Sequence, residues 1–572
     1  MRVTQSCLIG LVVTATALVP AIGASAAPSG EGGAERAGAT GEYVVAFEPG
    51  AADAGLAAIE ASGGTVVDVN ESAGLALVES QGAAFLDEVR ADAAVAGAAS
   101  NHSVGTSRPG MPHRVVEERP SAADRATAGA GGERPERRGR GTDPLASLQW
   151  DMAAIGANRE GAWRRATGRG VQVGIIDTGI DGAHPDLAPN FNADLSRNFT
   201  MDIPDIDGPC EEATCIDPAD VDHDGHGTHV AGTVAAARNG VGIAGVAPDA
   251  ELVNVRAGQD SGFFFLYETV AALTYAADIR LDVVNMSFYT DPWLFNCDSA
   301  DDYVEGTVSE QDLADQAFTK QVITAALEYA HERGVTLVAA AGNGHTDYSL
   351  PTRFDDSSPD YGAPPVERVV TNDCLDLPSE GPHVIAVGST GPSGTKADYS
   401  NYGLGSVDVA APGGWFRDYV GTPAYRTPEN MVLSPYPLGA AIEQGLADEN
   451  GVPVDDFSLV SCDRHGEDCG FYTYLQGTSM ASPHVAGVAA LVVDEFGRTR
   501  RGDTSLSPDR VRDRLLTTAA DRACPAAGFE DYSDEERDPA EYNAVCDGTT
   551  AVNGLYGEGI VDAGAAVSRR HR

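Results

Sequence analysis

Gln476-Gly477-Thr478-Ser479-Met480-Ala481-Ser482-Pro483-His484-Val485-Ala486-Gly487-Val488-Ala489-Ala490-Leu491-Val492 is the stretch on which the reading of this chain turns. It describes a tight Gly-Thr turn that delivers Ser479 into the first turn of a helix. Pro483 is tolerated near such a start, where amide hydrogens lack intrahelical partners. The run of Ala, Gly and Val beyond it predicts a helix buried on several sides. Free amide hydrogens and the positive end of the helix dipole meet at Ser479, and both favour an anion forming there. A serine before an apolar helix is also an ordinary cap. Ser479 therefore acquires meaning only from partners elsewhere in the chain.

Working outward, apolar runs at 171–176, 252–255, 283–286, 336–340 and 383–387 read as buried strands. Helical patterns near 228–237, 267–278 and 319–333 separate them. This alternation predicts an α/β unit over 145–567, a parallel sheet covered on both faces. Gly557–Asp562 reads as its last strand. Three stretches, 290–316, 414–474 and 521–553, read as irregular insertions, each carrying cysteine. Ahead of this unit, residues 42–101 follow a β-α-β-β-α-β order, the ferredoxin-like arrangement. Between the two, residues 103–144 are rich in Arg, Pro and Gly and hold almost no large apolar side chains, so they read as a linker. The run from Arg134 to Arg140 within it is a processing target or a solvated spacer.

The 572 residues exceed one ordinary core, so more than one folded unit is expected. With 85 acidic against 38 basic residues the net charge is -47, which argues against nucleic acid or an anionic membrane as partner. Residues 1–26 carry Arg2, a short apolar run and Ala24-Ser25-Ala26, the pattern of a secretory signal cut after Ala26. The run is too short for a membrane anchor. Removing Cys7 with it leaves eight cysteines, an even set that favours disulfides in an extracellular chain. The short gaps suggest Cys210–Cys215 and Cys462–Cys469, although eight cysteines allow 105 connectivities.

Two further motifs join Ser479. Asp177 ends the first buried strand in Ile175-Ile176-Asp177-Thr178-Gly179. His226 opens a helix in Asp224-Gly225-His226-Gly227-Thr228-His229. Strand carboxyl ends and helix amino ends share one edge of a parallel sheet, where sites form. The order Asp, His, Ser is one of the orders known for a hydrolytic triad. With these three blocks the chain resembles the subtilisin family of serine endopeptidases over about 145–567. The resemblance implies that Ser479 is the nucleophile, His226 its general base and Asp177 the group that orients the imidazole. It also implies that Asn343, in Ala341-Gly342-Asn343-Gly344, donates to the oxyanion beside the Ser479 amide. Residues 27–102 take the place of an inhibitory propeptide, so a self-processed, monomeric, secreted enzyme acting on polypeptides is expected.

The same resemblance places substrate binding at Gly262, Ser287, Phe288, Ala341 and Gly342. At Phe288-Tyr289 bulk replaces the glycines usual after that serine, which puts the P1 pocket's shape in question and admits a narrow role such as leader-peptide removal. A structural Ca2+ is implied at Asp186 and Asn239, the carbonyls of Ala237, Val241 and Ile243, and Gln149; hard oxygen donors suit that ion. Rival readings are weaker. Asp177-Thr178-Gly179 spells an aspartic-protease triplet, but His226 and Ser479 are then unexplained. His223, His226 and His229 do not share one helix face. A secreted binding protein remains the alternative if the 414–474 insertion covers the cleft.

Overall fold

The computed structural model describes residues 41–82, 84–102, 119–120, 143–360, 364–500 and 503–569. The signal segment, the Arg134–Arg140 run and the expected cleavage region up to residue 142 fall outside them, apart from Arg119 and Pro120.

Strands β1 (Gly41–Phe47), β2 (Thr65–Asn70), β3 (Leu75–Ser80) and β4 (Val95–His102) form an antiparallel sheet in the order β2-β3-β1-β4. Period-2 alternation gives the sheet two apolar faces. Val45, Ala76, Val78 and Ala98 face helices α1 (Ala52–Ala61) and α2 (Phe85–Arg90). Val44, Ala46, Leu75, Leu77 and Ala99 face the larger unit instead and share its core.

In the larger unit β5 (Gln172–Ile176), β6 (Arg197–Asn198), β7 (Glu251–Arg256), β8 (Val283–Met286), β10 (Thr336–Ala340), β13 (Val384–Thr390) and β14 (Val409–Pro412) form one sheet, ordered β14-β13-β10-β8-β5-β7-β6. All its pairings are parallel. The strands are apolar nearly throughout because both faces are covered. On one face lie α3 (His226–Ala235) and α6 (Thr478–Phe496), packed on each other. On the other lie α4 (Leu266–Asp278) and α5 (Glu310–Glu332).

The insertions depart from the sequence reading. Helix α5 begins at Glu310, inside the stretch read as irregular, because Ser309 and Asp312 form a reciprocal capping box. Strands β9 (Tyr303–Glu305), β11 (Thr352–Asp355) and β12 (Arg368–Thr371) form a small sheet stapled by Cys297–Cys374. Residues 414–474 are largely ordered: β15 (Val432–Tyr436), β16 (Ser458–Cys462) and β17 (Cys469–Leu475) pair antiparallel. Gly557–Asp562 is no strand; it makes only isolated bridges, to Val409, Ala410, Ala520 and Asn553. Its glycines at 557 and 559 take positive φ, which breaks a strand. Cys210–Cys215, Cys462–Cys469 and Cys524–Cys546 complete the disulfides.

Candidate active site

Asp177 follows β5, Ser287 follows β8, and Ala341-Gly342-Asn343 follow β10, so three adjacent strands end on one rim. In the β5–β8 register Ile176 opposes Met286, which sets Asp177 and Ser287 one step beyond the same pair. His226 reaches this rim from the first residue of α3. Its Nδ1 lies 2.7 Å from Asp177 Oδ1, and both groups are buried. Thr178 donates its backbone N–H to the same oxygen at 2.8 Å. Burial pushes the Asp177 carboxyl above its ordinary range, against the opposing pull of the His226 imidazole.

The start of α3 is built by aspartates. Asp222 accepts from the backbone N–H groups of Gly225 and Thr228, and from the hydroxyls of Thr178 and Thr228. Asp224 accepts from the His226 N–H at 3.0 Å. Burial, and then the neighbouring Asp222, pushes the Asp224 carboxyl up to about 8. Two glycines are required here. Gly225 has φ +103°, and a Cβ on it would lie 2.3 Å from the Tyr436 ring. A Cβ on Gly227 would lie 2.2 Å from the Gly179 carbonyl, so only glycine lets α3 approach the Asp177 turn.

Ser479 is anchored to the neighbouring strand. Pro483 has no N–H to donate to the carbonyl four residues earlier, which belongs to Ser479. The Ser287 hydroxyl fills that vacancy, donating to the Ser479 carbonyl at 3.0 Å. In return the Ser479 hydroxyl donates to the Ser287 carbonyl at 3.4 Å. Ser287 Oγ also meets Ser482 Oγ at 2.9 Å and accepts from Asn285 Nδ2. A residue without its own chemistry, Pro483, thus ties the helix that carries Ser479 to the strand beside Asp177.

Asn343 is oriented from the same helix. Its Oδ1 accepts from the Thr478 N–H and hydroxyl, both at 2.9 Å, and Thr478 Oγ1 accepts from the Gly342 N–H. Holding the amide by its oxygen turns its N–H hydrogens the other way. Gly342, at φ +95°, and Ala341 are held from behind by Asn401, whose Nδ2 donates to the Ala341 carbonyl. Thr478, Asp222, Asp224 and Asn401 were not singled out in the sequence. Thr478 and Asp224 lie within the quoted motifs and Asp222 two residues ahead of one, so these three could have been; Asn401 carries no local signal.

Gly262 sits at the rim in a turn, its N–H donating to the Gln259 carbonyl, with Asp224 Oδ2 the nearest atom to its absent side chain at 4.0 Å. Phe288 is buried and stacks on Phe264 with ring centres 4.1 Å apart, within the core that also holds Leu266 and Val284. The hairpin β15–β17 closes the far side of α3: His229 Nε2 lies 3.2 Å from the carbonyls of Val432 and Thr473, and Tyr436 donates to the Asp224 carbonyl. Burial holds the His229 imidazole down at about 3. Arg119, from the linker, is buried against this hairpin and donates to Thr473 Oγ1.

The expected cation site lies elsewhere, where residues 237–243 fold over Asp186. Asp186 Oδ2 accepts from the Ile243 N–H and the Tyr472 hydroxyl, while Oδ1 is buried without a hydrogen-bond partner. Burial raises this carboxyl well above its ordinary value. Asn239 Oδ1 accepts from the Val241 N–H. An orphaned carboxylate oxygen within a carbonyl-rich loop suits a hard cation. Gln149 lies beside this loop, both ends of its amide paired with the Ala244 backbone.

Comparison with known proteins agrees with this geometry. Residues 168–559 match the model of the subtilase family of peptidases. Subtilisin DY of Bacillus licheniformis is 29% identical over 352 residues, spanning 62% of this chain and 84% of that protein. Thermitase of Thermoactinomyces vulgaris is 29% identical over 336 residues, 58% of this chain and 78% of that protein. Among solved structures, the epidermin leader peptide processing serine protease of Staphylococcus aureus superposes with a TM-score of 0.59 at 20% identity, covering 94% of this chain and 99% of that one.

Proposed function

The chain belongs to the subtilase family and is a serine-type endopeptidase; from that premise we propose that Asp177, His226 and Ser479 carry its chemistry. Asp177 keeps the proton of the imidazole on Nδ1 and stabilises the imidazolium that forms. Nε2 then takes the Ser479 proton as the hydroxyl attacks a peptide carbonyl, and returns it to the leaving amine. The tetrahedral oxyanion is met by the Asn343 side chain and the Ser479 N–H at the start of α6. The observation that carries this reading is the 2.7 Å contact of His226 with Asp177, beside the strand to which Ser479 is bound through Ser287.

The enzyme is made as a secreted zymogen in this reading. The 41–102 sheet docks on α4 and α5, where Asn101 Oδ1 caps α4 by accepting from the Tyr267 N–H at 2.8 Å. Among the described residues no helix is long and apolar enough to cross a membrane. A Ca2+ held by Asp186 and the carbonyls of 237–243 would brace that loop. Because β15–β17 stands beside α3, a selective cleft is the narrower version, and leader-peptide removal, the role for which the staphylococcal protein is named, is one form of it.

N-terminal sequencing of the secreted protein and of Ser479→Ala tests the whole. Wild type should begin between residues 103 and 148 and be labelled at Ser479 by an organophosphate. A Ser479→Ala chain processed at the same bond, or wild type that resists the label, overturns it.

A further inference from the structure

At the edge of the large sheet opposite the rim, strands β10 and β13 begin beside a cleft of about 430 Å3, whose walls include Thr336, Ser379, Val384, Asp408 and Arg512. Three more of its lining side chains come from distant parts of the chain and meet there. His331 comes from the last turn of α5, His383 stands one residue ahead of β13, and Asp509 lies in the first turn of helix α7 (Pro508–Thr518). The two imidazoles stack, with ring centres 3.7 Å apart and planes 7° from parallel. His331 Nε2 lies 3.0 Å from Asp509 Oδ1. One ligand atom from each of the three residues lies within 4.8 Å of the other two.

Two of the three have ordinary reasons for their places. A carboxylate in a first turn and an imidazole in a last turn both complement a helix dipole. His383 has no such reason. It holds φ at +64°, left-handed backbone that is costly for a residue with a side chain, and it lays an exposed ring flat on His331. Two imidazoles this close repel each other once both are protonated, and one carboxylate balances only one of them. Arg512, one turn along α7, does not claim that carboxylate: it is held by Asp408 and by the Val384 carbonyl. Asp509 is left to the histidines.

We propose that His331, His383 and Asp509 form a Zn2+ site whose fourth position opens to the cleft. Imidazole nitrogen with one carboxylate suits Zn2+, whereas Ca2+ and Mg2+ take oxygen. Zinc holds such donors at about 2.0–2.2 Å, so neighbouring ligands of a tetrahedral ion lie roughly 3.4 Å apart. The His331–Asp509 pair, at 3.0 Å, is close to that spacing. His383 is exposed at the surface and has room to tilt out of the stack and turn a nitrogen onto the ion. Bound there, Zn2+ clips the end of α5 and the start of α7 to the strand edge, three segments that none of the four disulfides joins. Strand β10 starts at this cleft and ends at the loop carrying Asn343, so the ion braces the sheet from the far edge and takes no part in proton transfer.

The test uses the full-length Ser479→Ala chain without an affinity tag, stripped with chelator and titrated with Zn2+ by calorimetry in excess Ca2+, which fills sites built of oxygen alone. One Zn2+ per chain is expected, with a raised Tm, and Co2+ in its place should give the visible absorption of a tetrahedral ion. His383→Gln and Asp509→Asn, both at the surface and without consequence for packing, should each weaken binding by about tenfold or more, at least the loss that follows when a ligand's supporting group is removed. No Zn2+ uptake by the parent overturns the inference, as does uptake unchanged in both variants. Uptake that His223→Gln abolishes while His383→Gln leaves it whole also overturns it, since His223 with Glu211 and Asp217 is the rival cluster.

Discussion

Asp177 and Asp202 are both buried carboxylates, less than thirty residues apart, and they are treated differently. Asp177 Oδ1 is met by the His226 imidazole and the Thr178 N–H, and only its Oδ2 is left without a hydrogen-bond partner. Asp202 has no such partner, and the nearest balancing charge, Arg256, is held by Asp217 and Asp260. At the rim the reacting groups are met by other members of the same constellation, whereas in the surrounding loops a buried carboxylate is left unmet. Substitutions at the rim should change rate and leave stability nearly intact; substitutions in the periphery should do the reverse.

The sharpest break in that contrast comes from Ser479→Ala. Activity on a peptide substrate should fall by about a millionfold, a magnitude measured on a subtilisin and borrowed here from that relative. Thermal unfolding should barely move, because the Ser287 bond goes to the Ser479 carbonyl, which alanine keeps. A large loss of Tm would mean that the hydroxyl is structural and that the division between rim and periphery is wrong.

Asn343→Ala comes next. Losing one oxyanion donor costs roughly a hundred- to a thousandfold in kcat, again a figure from a subtilisin. KM should change little, since the contact is made to the transition state. Steady-state kinetics on a chromogenic peptide separates the two. If KM rises and kcat holds, Asn343 binds ground-state substrate and the proposed role fails.

The contrast also explains what could be read from the chain. Asp177, His226 and Ser479 were legible because each sits in a short, recognisable motif: Thr178 lies next to the carboxylate it donates to, Asp222 lies a few residues from the Gly225 and Thr228 N–H groups it accepts from, and Thr478 precedes Ser479 although the group it holds, Asn343, is 135 residues away. The parallel sheet was legible because strands buried on both faces leave continuous apolar runs, as at 172–176 and 336–340. The order inside 414–474 was not, since β15–β17 is stabilised by packing on α3 and alternates too little to declare itself. Helix α5 was read as starting late because Glu310 to Gln316 is polar, and the Ser309 capping box was passed over. Gly557–Asp562 misled in the other direction, with the composition of a strand end but glycines at positive φ. The set around His383 was invisible because its members come from 331, 383 and 509, and no spacing rule links them.

In the periphery the third prediction concerns Cys297–Cys374, which closes 77 residues around the small sheet. Replacing both with alanine should cost on the order of 2–5 kcal/mol of stability. The kcat on a short peptide should stay near wild type, because β9, β11 and β12 supply none of the groups assigned to the chemistry. Chemical unfolding and kinetics on the same sample measure both. A fall in kcat matching the fall in stability would show that this staple also shapes the cleft.

The smallest effect lies where the 41–102 sheet meets α5. Arg90 donates to Asp315 at 2.9 Å, and Gln311 and Tyr43 border the pair. Burial pushes the Asp315 carboxyl up to about 6, with Arg90 only partly opposing the shift. Released into water, the same carboxyl returns toward 3.8. Between those values the docked form holds a proton that the separated form has lost, so docking takes up protons. Affinity of the separated 41–102 segment for the processed enzyme is therefore greatest below about pH 4 and declines as pH rises toward about 6. Above that it levels off. Inhibition constants measured across the range should show this slope, and Asp315→Asn, which cannot ionise, should flatten it without changing kcat. A slope of the opposite sign in wild type would mean that the Arg90 ion pair outweighs burial. The periphery would then be neutralising its buried charge as locally as the rim does.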